Sequence, residues 1–303
     1  MVFSAGAVLA QEPAYSKPTM ANIPYGPHPR QVLDFFQAKS EQPTPVVFQI
    51  HGGGWVAGDK RITDAKKYLD AGISVVSIQY RFIDDAIEAK VKPPVKWPLE
   101  DAARALQFVR SKAKEWNINK ARIGATGGSA GACSSLWLAF HDDLADAKSA
   151  DPVARESTRL WCAAVNGAQT TLDPRQMKEW TPNSRYGGHA FGFYPDPKDR
   201  KTRDTQFPQF LAARESLLPW IKEYSPFEHA NAGDPPIYMN YSAAPALGKD
   251  AKDPTHSANF GVKLQEKLDG LGVACELVYP GAKDIKHKTS QEYLISQLKL
   301  GKK

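Results

Sequence analysis

A serine stands between glycines at Gly127-Gly128-Ser129-Ala130-Gly131, with a β-type run, Arg122–Thr126, directly before it and the apolar stretch 130–140 directly after. That order reads as strand, tight turn, buried helix, the setting in which a G-x-S-x-G serine acts as a nucleophile. Side chains at the flanking positions would clash in so tight a turn, which accounts for Gly127 and Gly131. The same turn pushes the Ser129 hydroxyl out at the carboxyl edge of a sheet. The helix N-terminus behind it favours negative charge developing on a substrate oxygen.

A second group of residues could receive that charge. His51-Gly52-Gly53-Gly54-Trp55 follows the strand-like run Val46–Ile50. Consecutive glycines let the backbone turn its N–H groups toward one point, giving oxyanion donors that no side chain obstructs.

Positioning these groups requires a scaffold, and the rest of the chain supplies its pattern. Ile73–Tyr80, Cys162–Val165, Ile237–Tyr241 and Cys275–Tyr279 read as further strands, and Val32–Phe36 as an antiparallel strand at the edge. Helix-period stretches alternate with them. Leu99, Ala102, Leu106 and Val109 form one stripe behind Pro98; Phe260, Leu264, Leu268 and Leu271 form another that stops at Gly272; Tyr293, Leu294 and Leu298 mark a last helix. Alternation of this kind predicts an α/β fold, a mostly parallel, doubly wound sheet with helices on both faces. Residues 169–236 break the rhythm with Pro, Gly, aromatics and charge, and are expected to form an inserted cap with short helices of its own. The main domain is expected over residues 18–303.

Composition narrows the classes further. The 303 residues include 42% hydrophobic and 24% charged residues, ordinary for a globular protein. The net charge of +6 is scattered, without the basic blocks or basic–aromatic interleaving of a nucleic-acid binder. No apolar run approaches membrane-spanning length, so no membrane insertion is expected. Cys133, Cys162 and Cys275 suit buried thiols rather than a disulfide framework or a zinc site. Residues 1–10, apolar and small, resemble the tail of a secretory signal peptide cut near Gln11, which implies a secreted or periplasmic protein.

The His-Gly-Gly-Gly-Trp run, the Gly-Gly-Ser-Ala-Gly turn and Gln79-Tyr80-Arg81 at a strand end resemble the hormone-sensitive-lipase-like branch of the α/β-hydrolases, in particular its bacterial feruloyl and acetylxylan esterase-like members. The resemblance implies a serine carboxylesterase working through an acyl-enzyme, with oxyanion donors at Gly53, Gly54 and Ala130 and no metal or organic cofactor. In the chain order serine, acid, histidine it points to His287, which follows Tyr279-Pro280-Gly281, as the base. Five residues, Ala282–Lys286, intervene. Helix register places the acid at Asp253; anchoring instead on His256-Ser257 gives Asp250, and Asp173 is a third candidate. Asp253 before Pro254 also suits a helix N-cap.

The remaining histidines fit the base position less well. His28 precedes the core, His141 and His229 lie near helix ends, His189 lies in the cap, His256 sits at a helix start, and His51 belongs to the glycine loop. Trp55 is expected to line a pocket that stacks an aromatic acyl group or a sugar ring. The substrate would then be a small-molecule or polysaccharide-borne ester such as an acetyl or feruloyl ester. A peptidase or amidase on the same scaffold, and a non-catalytic binding protein that kept the fold, are the alternatives.

Overall fold

The β-branched runs assemble into one eight-stranded sheet in a computed structural model that describes residues 15–299; the 1–10 stretch lies outside the described residues. The strands are β1 (Met20–Pro24), β2 (Val32–Phe36), β3 (Thr44–Ile50), β4 (Ser74–Ile78), β5 (Ile118–Gly128), β6 (Cys162–Asn166), β7 (Ile237–Asn240) and β8 (Cys275–Val278). Their spatial order is β1-β2-β4-β3-β5-β6-β7-β8. The pairings β1–β2 and β2–β4 are antiparallel and the others parallel.

Val32–Phe36 is therefore the second strand in from the edge, not the edge itself. The outer strand, β1, has residues that are half-buried or exposed throughout and carries no apolar alternation to mark it. The helices also begin slightly differently from expectation, Lys96–Ser111 starting two residues before Pro98.

Parallel strands are covered on both faces, so their residues must be apolar on both. In β3, Val46, Phe48 and Ile50 enter a large core that also takes in Leu99, Leu106 and Val109 of the Lys96–Ser111 helix and Leu136 of the Ala130–Phe140 helix. Val47 points the other way, into a smaller core with Tyr68, Leu294 and Leu298. Each fully buried aliphatic side chain of this kind stabilises the fold by about 1.5–3 kcal/mol.

The 169–236 stretch forms helices Pro174–Trp180, Phe207–Ala212, Arg214–Tyr224 and Pro226–His229, with single 3-10 turns at Gly188–Phe191 and Arg200–Thr202. Among the described residues no helix is long and apolar enough to cross a membrane, and all three cysteines are free.

Two features of the sheet set the site. The chain passes from β3 outward to β4 and then returns to β5 on the other side, so the loops leaving β3 and β5 flank a crevice where the winding reverses. The end of β4 is tied down by a buried ion pair. Arg81 donates through its backbone N–H, Nε and Nη2 to Asp101, at 2.5–3.1 Å, while Gln31 Nε2 donates to Asp101 Oδ1 at 2.8 Å. The Arg81 guanidinium also lies 4.0 Å from the centre of the Trp97 ring.

Candidate active site

Between β5 and the Ala130–Phe140 helix, Ser129 alone bridges strand and helix, with φ 54° and ψ −123°. A residue with a Cβ is held in that conformation only where the surroundings over-determine it. Here they do: a Cβ on Gly127 would meet the Ile50 carbonyl at 2.5 Å and Gly131 at 2.6 Å, and a Cβ on Gly131 would run into the Ile50 and His51 carbonyls. The Ser129 N–H donates to the Asn166 carbonyl at 3.0 Å, fixing the turn to the end of β6.

The hydroxyl meets a histidine, but His287 is elsewhere. Ser129 Oγ lies 2.9 Å from His256 Nε2, and His256 Nδ1 lies 2.8 Å from Asp253 Oδ2. Asp253 caps the 3-10 turn Pro254–His256, its Oδ1 accepting the His256 N–H at 3.3 Å. Acid and base are thus three residues apart on one turn, which Gln169 pins by donating Nε2 to the Thr255 carbonyl at 2.7 Å. The Asp253 side chain is 59% exposed and the His256 ring 34%.

The expectation for His287 is corrected by the path of its loop. After Tyr279 the chain turns, Ala282 N–H bonding the Tyr279 carbonyl, and the extra residues let it fold back along β8. His287 there sits against Glu276, with its N–H 2.7 Å from Oε1 and Nδ1 2.8 Å from Oε2, and its Nε2 is 2.9 Å from Ser296 Oγ. Both ring nitrogens are occupied away from Ser129. Asp173 is likewise committed elsewhere: it is buried, N-caps the Pro174–Trp180 helix and takes a two-pronged contact from Arg214 at 2.6–3.0 Å. Asp250 is exposed on the loop before the 3-10 turn.

The glycine loop has the backbone its composition predicts. Gly53 and Gly54 adopt φ 99° and 62°, and Trp55 follows at φ 57°. A Cβ on Gly53 would collide with the Ala57 carbonyl. The N–H of Ala130 belongs to the first helical turn, where backbone donors have no acceptor within the helix.

Several side chains hold this loop. Tyr80 donates its hydroxyl to the His51 carbonyl at 2.9 Å and stacks on the His51 ring, centroids 4.3 Å apart. His189 Nε2 donates to the Gly54 carbonyl at 3.0 Å from a buried position; burial lowers its pKa, opposed by Asp204 beside Nδ1.

Trp55 does not line the crevice as expected. Its ring is fully buried beneath the loop, and Nε1 donates to Ser134 Oγ at 3.0 Å, which in turn donates to the Ala130 carbonyl at 2.9 Å. The indole couples the glycine loop to the helix behind Ser129, a role that follows from burial needing a partner for its N–H.

The cavity above Ser129, about 340 Å³, is bordered by Gly53, Gly54, Asp253 and His256 and by Tyr186, Arg200 and Arg203 from the 169–236 stretch. None of the last three carries a motif, and sequence reasoning missed them. His256 could have been found: an acid at i and an imidazole at i+3, with Pro254 opening a short turn, put both side chains on one face.

Comparisons with known proteins place the chain in a family. The BD-FAE family profile matches residues 33–246, well over half of the chain. Gut esterase 1 of Caenorhabditis elegans is 30% identical over 146 residues, 46% of this chain and 26% of that protein. The chain matches only 25–31% of the length of the curated relatives. Among solved structures, a truncated carbohydrate esterase from gut microbiota superposes with TM-score 0.66 at 19% identity, covering 94% of this chain and 98% of that one. The acetyl ester-xyloside bifunctional hydrolase of Caldicellulosiruptor lactoaceticus gives 0.58 at 22% identity, covering 85% and 78%. These structural likenesses carry the α/β-hydrolase fold. The chain belongs to the BD-FAE family of α/β-hydrolase esterases.

Proposed function

We propose that the protein hydrolyses carboxylic esters through an acyl-enzyme, with Ser129 as nucleophile, His256 as general base and acid, and Asp253 as the carboxylate that orients His256. The observation that carries the reading is the His256 ring, which spans from Ser129 Oγ at 2.9 Å to Asp253 Oδ2 at 2.8 Å. With its proton on Nδ1 facing Asp253, the ring presents a lone pair to the serine.

Ser129 Oγ attacks the ester carbonyl as its proton passes to His256 Nε2. The tetrahedral oxyanion is received by the N–H groups of Gly53, Gly54 and Ala130, each such donor contributing about 3–4 kcal/mol in comparable sites. His256 then protonates the departing alkoxide, and water, deprotonated by the same nitrogen, releases the acid.

A polysaccharide-borne acetyl or feruloyl ester is the favoured substrate. Two solved neighbours are a carbohydrate esterase and an acetyl ester-xyloside hydrolase, and the cavity size accommodates a small acyl group beside a sugar. Such a polymer would be met outside the cytoplasm, and the 169–236 stretch acts as a cap over the site.

The test is turnover of p-nitrophenyl acetate against the matched p-nitroanilide, for the wild type and Ser129→Ala. Ester turnover that falls by several orders of magnitude in Ser129→Ala is the expected result. Faster anilide cleavage would favour an amidase, and an inert wild type would favour a binding protein. A Ser129→Ala variant keeping more than a hundredth of the activity would refute the nucleophile.

A further inference from the structure

We infer that the site takes esters bearing a carboxylate close to the scissile carbonyl, recognised by Arg203 and Arg200. The inference rests on the ester-hydrolase reading and specifies its substrate class.

Arg203 and Arg200 both border the cavity that holds Ser129 and His256. Arg203 is fixed rather than free-swinging: its Nε and Nη2 donate to Asp204 Oδ2, at 3.0 Å for Nε, and its guanidinium lies 5.2 Å from the centre of the Tyr186 ring. That grip leaves Nη1 without a hydrogen-bond acceptor among the described residues. Nη1 lies over Gly54: a Cβ built on that glycine would stand 2.7 Å from it. A guanidinium nitrogen held beside an oxyanion-loop residue can reach an acceptor only a few bonds from the reacting carbonyl.

Tyr186 backs this arginine: its buried ring borders the same cavity and lies against the guanidinium, which together with Asp204 fixes the direction of Nη1.

Two arginines and two carboxylates, Asp253 and Asp204, lie at or beside the cavity, so recognition rests on the placement of the guanidinium nitrogens and not on a net positive charge. Of the carboxylates near it, Asp253 faces His256 and Asp204 is spent on Arg203. Asp84, whose pKa burial pushes up, lies near Arg200 without forming an ion pair with it. Arg200 is exposed at the rim, where a cation attracts an anionic substrate and sets the salt dependence of capture.

The carboxylate could belong to the acyl group or to the alcohol, and two matched pairs of esters separate these. Mono-4-nitrophenyl succinate against 4-nitrophenyl butyrate places the charge on the acyl side. 4-Acetoxybenzoate against its methyl ester places it on the leaving group. The wild type is expected to prefer the charged member of one pair by about tenfold or more in kcat/KM, the worth of one charge-assisted hydrogen bond. That preference should shrink as salt is raised and collapse toward unity in the Arg200→Met/Arg203→Met double variant.

If the double variant does not fold, the same ratio is measured for the single Arg200→Met change, at an exposed position, which should lower it by a smaller factor. Equal rates within both pairs, or a preference that survives the double substitution, would overturn the subsite while leaving the hydrolase reading intact. A double variant slowed equally on charged and neutral esters would also overturn it, by making Arg203 part of the oxyanion stabilisation instead. No turnover of any of the four esters would remove both readings.

Discussion

Replacing Asp253 by Asn separates the two roles this residue plays. Its Oδ1 accepts the His256 backbone N–H and its Oδ2 faces the His256 ring at 2.8 Å. An asparagine must still offer its one carbonyl oxygen to the backbone N–H, because the amino group cannot accept it. The NH₂ then stands opposite Nδ1 and donates to it. That drives the imidazole proton onto Nε2, against Ser129, and the ring can no longer act as a base.

In a well-studied protease this wrong tautomer lowers turnover roughly 10⁴-fold. The 59% exposure of Asp253 lets solvent soften the effect, and a loss of roughly 10³-fold in kcat is expected. Stability should hardly change, since Asn caps a helical turn as well as Asp.

Asp253→Ala should behave in the opposite sense. It removes the cap, costing about 1 kcal/mol, or about 1.5–2 °C in Tm for a chain of this size. It forces no tautomer, however, so only the screened charge is lost. At 2.8 Å and a dielectric of about 40–80 that attraction is about 1.5–3 kcal/mol, a fall in kcat of about ten- to a hundredfold.

The Ala variant is therefore expected to be the faster enzyme and the less stable protein. Steady-state kcat on p-nitrophenyl acetate and a thermal scan of both variants read this directly. An Asn variant within tenfold of wild type, or an Ala variant slower than Asn, would refute the tautomer argument.

His256→Ala should lose activity by several orders of magnitude, whereas His287→Ala should keep it and lose only the Glu276 and Ser296 contacts, seen as a Tm lower by a few degrees; the reverse pattern of rates would restore His287 as the base. Asp101→Asn leaves the half-buried Arg81 without its counter-charge and should cost about 2–3 kcal/mol, read as a lower urea midpoint. An unchanged midpoint would mean that the pair does not stabilise the end of β4.

Legibility in the sequence followed the range over which each constraint acts. The turn at Ser129 and the bend at Gly53-Gly54 admit only glycine at their tight positions, so short runs of residue types reported them even though the atoms that crowd Gly127 and Gly131 belong partly to Ile50 and His51. The central strands were legible because parallel pairing requires apolar residues on both faces, as in Val46-Val47-Phe48. The strand Met20–Pro24 was not, since a sheet edge makes no such demand. His287 was misleading because motif order does not say how a loop folds: Ala282–Lys286 double back to Glu276. Tyr186, Arg200 and Arg203 meet only in three dimensions, and their spacing has no period to detect.

The turn Asp253–His256 also bears on how the site comes together during folding. Closing a contact between residues three apart costs little chain entropy, so the acid–imidazole pair can form as soon as that turn does, ahead of most of the tertiary structure. What remains non-local is the bond from His256 to a serine 127 residues earlier in the chain and the bond by which Gln169 holds Thr255. Bringing Asp253, His256 and Ser129 together thus reduces largely to seating one short local turn at the carboxyl edge of the sheet. The entire turn could be transplanted, or its seat shifted by loop length, without re-pairing its acid and imidazole.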